Sequence, residues 1–189
     1  MCNCNIDETK KKLLSDYNTY TGNYEESPEV DSLKMMYLET ALRVVEEYLG
    51  YPLFQNEYIE EHIGVIGRSC YLDNVPTCEV YSFKVNGEEI ESTKYILDGD
   101  HIQLIDPDRK AGFRERDLIV VDYSAGYREL PSIIKMTIFR IASLLLSEAG
   151  GNIAVTSKSF SDNSRSFVNY TNWDKFLSPL SRLRRNYLK

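Results

Sequence analysis

The chain has 189 residues, 42% of them hydrophobic and 27% charged, with a net charge of −7. That balance suits a soluble globular chain of one domain, or one domain carrying a sizeable insertion. An acidic total argues against a surface built throughout to clamp nucleic acid. No basic stretch followed by an apolar run opens the sequence, so no secretory signal is expected. Cys2, Cys4, Cys70 and Cys78 are then expected as reduced thiols in a cytoplasm. The charge is uneven: Lys175 to Lys189 holds five Lys or Arg and no acid, which leaves the rest more acidic than the total.

Residues 1–26 read as an N-terminal extension. Asp7 to Tyr17 is a lysine-rich helix candidate with only Leu13 and Leu14 as strong anchors, so loose attachment is expected. A firmer helix follows. Ser27 is placed to cap it, Pro28 takes the first helical position, and Glu29 and Asp31 suit the positive end of the dipole. Leu38, Ala41, Leu42, Val45, Tyr48 and Leu49 form its apolar face. Glu39 and Arg43 are spaced to pair, and Gly50-Tyr51-Pro52 ends the helix.

From Leu53 to Tyr127 the period changes to that of short strands. Val80 to Val85 alternates and runs into Asn86-Gly87, a hairpin dipeptide because both turn residues must take positive φ. Tyr95 to Leu97 and Ile102 to Leu104 flank Asp98-Gly99-Asp100 as a second hairpin. Asp106 to Asp117 reads as a charged, solvated tip. Leu118 to Tyr123 is an apolar strand ended by Ser124-Ala125-Gly126.

Pro131 then opens a helix with Ile134, Ile138, Ile141, Ala142 and Leu145 as one stripe. Ile133, Met136, Phe139, Leu144 and Leu146 widen the stripe most of the way round, so a central helix covered by other elements is expected. Lys135 and Arg140 exclude it as a membrane span. Ser157 to Phe167 is hydroxyl-rich and reads as an ordered loop or short hairpin. A last helix is expected from Trp173, restarting at Ser178-Pro179, with Leu180, Leu183 and Tyr187 as anchors. The fold class expected is α+β: a helical bundle from residues 27–52 and 128–189, with an antiparallel β unit, 53–127, inserted between the second and third helices.

The ordering of these features resembles the head–tail connector, or adaptor, proteins of tailed bacteriophages. The residues that carry it are the helix ending Tyr48-Leu49-Gly50, the β block, Tyr123-Ser124-Ala125-Gly126-Tyr127, Pro131 and its apolar helix, the Ser159-Phe160-Ser161-Asp162 loop, and the Leu177 to Arg185 ending. The resemblance implies a virion protein with no enzymatic activity and no cofactor, assembled in the host cytoplasm. It implies a ring of about twelve copies under the portal, extending the DNA channel towards the next neck or tail protein. It implies portal docking through Leu183, Arg184, Arg185, Asn186, Tyr187, Leu188 and Lys189. A basic tail with few partners on its own chain suits an acidic portal surface. Self-association is expected through the helix flanks and the loop residues Ser159, Phe160, Ser161, Asp162, Ser164 and Phe167. DNA is expected to pass without specific binding, because an acidic lumen repels phosphate.

Other chemistry finds less support in the residues. Cys2-x-Cys4 with Cys70 and Cys78 lacks the spacing of a zinc knuckle. His62 and His101 are the only general bases titrating near neutral pH. A Cys70–histidine hydrolase is the less favoured alternative, because both histidines occupy ordinary strand or turn positions. Asp106-x-Asp108 with Gly112 lacks the ligand order of a calcium loop. A nucleic-acid-binding packaging factor, acting through the basic tail, is the remaining alternative.

Overall fold

The helices and strands follow the changes of period along the chain. In order they are α1 (Ile6–Thr21), α2 (Pro28–Leu49), β1 (Asn56–Ile63), β2 (Ser69–Tyr71), β3 (Thr77–Val85), β4 (Glu88–Glu89), β5 (Tyr95–Asp98), β6 (His101–Leu104), β7 (Leu118–Ala125), α3 (Ser132–Ala149), β8 (Ser157–Phe160), β9 (Asn163–Ser166) and α4 (Asp174–Leu177), which continues as a 3-10 turn over Ser178–Leu183. The structure is a computed structural model and describes residues 6–22, 27–63, 65–109, 112–149, 157–160, 163–166 and 174–185. It divides into two compact units, one formed by Tyr51–Leu130 and the other by Asn5–Gly50 with Pro131–Lys189. The protein is α+β, with small antiparallel sheets.

In the helical unit α1 departs from expectation. It is longer than Asp7 to Tyr17; Leu13 is buried as expected and Leu14 half-buried, and an aromatic residue joins them as an anchor. Tyr17 is 1% exposed, its ring lies 5.4 Å from that of Phe139, and its hydroxyl shares a 3.0 Å hydrogen bond with Ser143. Two ion pairs of 2.7 Å, Lys10 to Glu39 and Lys135 to Asp16, tie α1 to α2 and α3. Glu39 is therefore held by α1, not by the neighbouring Arg43.

On α2, Leu38, Ala41, Leu42, Val45 and Leu49 are buried, as the period predicts. Ser27 caps through its carbonyl, which accepts from the Asp31 N–H at 2.9 Å, and makes no side-chain cap bond. Gly50 takes φ 85° and donates to the Glu46 carbonyl, closing the helix in the left-handed conformation that glycine adopts without strain. Lys34 is an unexpected core member: its ammonium donates to Asn18 Oδ1 at 2.8 Å and lies 3.6 Å from Asp31. A buried cation needs such partners.

Helix α3 is covered on one side and not all round. Ile134, Ile138, Phe139, Ile141 and Ala142 are buried, whereas Leu144, Leu145 and Leu146 are half-buried and Ile133 and Met136 face solvent. Periodicity located the buried stripe, but the width of an apolar face does not say how many neighbours cover it.

The β unit holds a four-stranded sheet in the order β1-β7-β3-β4 and a three-stranded sheet in the order β2-β6-β5. Cys70, Leu72, Ile102 and Leu104 from the smaller sheet region share a core with Phe83, Val85, Ile119, Val121 and Tyr123 from the larger. Phe113 packs edge-on against Phe83 with ring centres 6.2 Å apart. The two predicted hairpins are present: Asn86 and Gly87 take φ 54° and 82°, and Gly99 takes 62°.

The segment from Asp106 to Asp117 is not a solvated tip at its ends. Both aspartates are buried. Asp106 accepts from the Asp108 N–H, and Asp117 accepts from Asn86 Nδ2 at 2.8 Å and from the Arg114 N–H at 2.9 Å. Asn86 Oδ1 in turn accepts from the Leu118 N–H. The turn asparagine thus also stitches the hairpin to the start of β7.

Candidate functional site

At the end of β7 backbone segments approach closely. Gly126 has φ 104°, and a Cβ built there would fall 2.5 Å from the Phe54 carbonyl oxygen. Only glycine permits that approach. The Tyr127 N–H donates to the Leu53 carbonyl at 2.7 Å and the Gly126 N–H to the Pro76 carbonyl at 2.9 Å. Arg128 Nε donates to the buried Gln55 side chain at 3.0 Å. Tyr-x-x-Gly-Tyr is therefore a clamp that joins the chain entering the β unit to the chain leaving it.

A polar cluster lies against the same strand. The Glu60 carboxylate accepts from the Tyr123 hydroxyl, from the Asp73 N–H at 2.8 Å and from Asn74 Nδ2 at 2.8 Å, and His62 Nε2 lies 3.1 Å away. Burial alone raises a carboxyl pKa, but here the hydrogen bonds from His62, Asp73, Tyr123 and Asn74 outweigh it and hold Glu60 down at about 2. Every ligand of the carboxylate is a structural neighbour. The cluster reads as a staple between β1, β7 and the Asp73-Asn74 turn.

The remaining enzyme candidates separate in space. Cys70 is fully buried, and burial pushes its thiol up to about 12, which leaves no thiolate near neutral pH. Cys70 pairs in register with Ile102, and Tyr71 with His101, so Cys70 and His101 project to opposite faces. His101 stacks on Tyr71 with ring centres 5.0 Å apart, and His62 is held by Glu60 in the other sheet. Asp106 Oδ1 and both Asp117 oxygens are taken by the bonds described above, and Asp106 Oδ2 lies 3.9 Å from Lys94 Nζ. Cys78 is exposed, and Cys2 and Cys4 lie outside the described residues. Among the described residues no three His, Cys, Asp or Glu side chains converge as a metal ion requires. No described helix is long and apolar enough to cross a membrane.

The C-terminal segment does have partners on its own chain, contrary to expectation. Leu177 and Leu180 are buried, the Arg184 guanidinium lies 5.2 Å over the Tyr48 ring, and the Arg185 N–H donates to the Leu49 carbonyl at 2.9 Å. The first part of the basic segment is thus seated on the end of α2 by a cation–π contact and a backbone bond. Asn186, Tyr187, Leu188 and Lys189 lie outside the described residues. In the serine-rich segment Ser159 and Phe160 belong to β8 and Ser164 to β9, with Phe160 opposite Asn163 and Ser159 opposite Ser164. Ser161, Asp162 and Phe167 lie outside the described residues.

Two apolar lines are exposed, one that the sequence reading did not single out and one that it expected to be covered. Val30, Leu33 and Met36 follow one another at three-residue spacing on α2, and Ile133 and Met136 do so on α3. On α2 the signal was legible as a second apolar line beside the predicted core face.

These features define an α+β protein with a helical unit and a two-sheet β unit, and among the described residues α2 and α3 each expose apolar side chains. The fold is shared with chains from gene transfer agent particles. One belongs to the neck of an empty GTA particle computed with C6 symmetry: TM-score 0.57, 12% identity, 93% of this chain and 90% of that one covered. Another belongs to the neck of a native GTA particle computed with C12 symmetry: TM-score 0.58, 11% identity and the same coverage. A third belongs to the virion of a native GTA particle: TM-score 0.56, 12% identity, 87% and 82% covered. No protein-family model matches this chain, and no curated protein does.

Proposed function

We propose that this chain is a structural component of the neck of a phage-like particle, a ring-forming connector between portal and tail. The observation that carries this reading is the fold likeness over nine-tenths of both chains to proteins of a particle neck. It extends through the helical and the β parts alike. The neighbours come from assemblies computed with sixfold and twelvefold symmetry, which favours a closed cyclic arrangement of about twelve copies. A neck protein needs adhesive faces and a rigid frame, not a nucleophile. The exposed apolar helix faces and the inert, buried Cys70 agree with that.

In this reading the acidic body lines or surrounds a channel through which DNA slides without specific contacts, since phosphate retention requires Lys and Arg. Leu183 to Lys189 dock on the portal, the Ser159 to Phe167 segment contributes to contacts between copies, and the next neck or tail protein binds below. The protein works in the virion neck after assembly in the host cytoplasm. Electron microscopy of the purified protein, alone and with portal, tests this: closed rings are expected on the portal. A pore lined by arginine and lysine, turnover of a substrate, or absence from mature particles would each overturn the reading.

A further inference from the structure

Resting on the ring reading, we infer that neighbouring copies join head to tail by packing the α2 line Glu29, Leu33, Met36 of one copy against the α3 line Ile133, Met136, Arg140 of the next. Leu33 and Met36 are 41% and 51% exposed, and Ile133 and Met136 are 45% and 37% exposed. Large apolar side chains that follow helical spacing on two faces of one small unit call for cover. Glu29 and Arg140 are also exposed, and neither has an ion-pair partner among the described residues. Nearby charges are already committed: Glu39 to Lys10, Lys135 to Asp16, and Asp31 to Lys34.

The occupant follows from spacing and charge. From Met36 back to Leu33 and Glu29 the steps are three and four residues; from Ile133 on to Met136 and Arg140 they are also three and four. Two antiparallel helices with these faces together therefore set Met36 against Ile133, Leu33 against Met136, and Glu29 against Arg140. Each line against its own antiparallel copy sets a charge against an apolar side chain instead. The unlike pairing is the complementary one, and a contact between unlike faces generates a ring when its rotation closes. The helical face, more than the Ser159 to Phe167 segment, is then the main joint between copies.

The test uses the full chain with Cys2, Cys4 and Cys78 replaced by serine, carrying Leu33→Cys in one preparation and Met136→Cys in another. Mixed and oxidised, the two should give a cross-linked dimer that neither gives alone, and the doubly substituted chain should give a ladder extending past the dimer. Charge reversal keeps the test independent of cysteine geometry. Glu29→Arg or Arg140→Glu alone should weaken association about fivefold, and the two together should restore it. Multimers seen by light scattering without the mixed cross-link would overturn this joint and leave the ring reading standing. A ladder that stops at the dimer would overturn the head-to-tail arrangement. A chain that stays monomeric, with and without portal, would overturn both.

Discussion

Glu60 shows how one side chain ties a strand, a turn and a buried phenol together, and it makes stability depend on pH. Its folded pKa of about 2 lies below the ordinary 4.5, so the folded state holds its proton less tightly than the unfolded chain does. The stabilisation is full above about pH 4.5 and is lost as pH falls towards 2. It amounts to on the order of 2–3 kcal/mol. Thermal unfolding from pH 7 down to pH 3 should show this loss, and Glu60→Gln should be less stable at pH 7 with a flatter dependence on acid. Gly126→Ala should cost at least about 2 kcal/mol, because the new methyl meets the Phe54 carbonyl in a backbone conformation that alanine resists; urea midpoints read this directly. In native protein a maleimide should label Cys78, which is exposed, and reach Cys70 only on unfolding. Fast labelling of Cys70 would contradict its burial and its raised pKa.

Among the elements, α1 is the one whose importance the sequence understated. Tyr17 joins the buried Leu13 as a principal anchor, and the ion pairs from Lys10 to Glu39 and from Asp16 to Lys135 add to the attachment. Tyr17→Ala should therefore destabilise the helical unit by about 3–4 kcal/mol, the range for emptying an aromatic site in a core. Tyr17→Phe, which keeps the ring and loses the Ser143 bond, should cost about 1 kcal/mol. Equal effects of the two substitutions in chemical denaturation would show that the ring carries no packing energy. In α3 the same residues that make the helix apolar divide into a covered side and a side left exposed at Ile133 and Met136.

For the molecule as a whole, the basic C-terminus is held on α2 as far as Arg185. A chain ending after Leu183 keeps Leu177 and Leu180 in the core. It should stay folded by circular dichroism and lose binding to portal rings; binding at full strength by the shortened protein would remove the tail from the docking role. The acidic total predicts weak, salt-sensitive contact with duplex DNA at most, and tight retention in a gel-shift titration would favour a packaging factor instead.

Local rules settled a good part of this protein from its sequence alone. Strand and helix periods, the Asn86-Gly87 turn, the Gly50 stop, Pro131 and the restart at Pro179 are short-range signals, fixed by backbone sterics and by which side chains share a face. What lay beyond that reach depended on partners far apart in the chain. The burial of Asp106 and Asp117, the seat of Arg184 on Tyr48 and the Glu60 staple each require two segments to meet, and no local pattern encodes the meeting. Periodicity says which side of a helix is apolar; only the tertiary structure decides how much of that side its own chain covers and how much it leaves exposed.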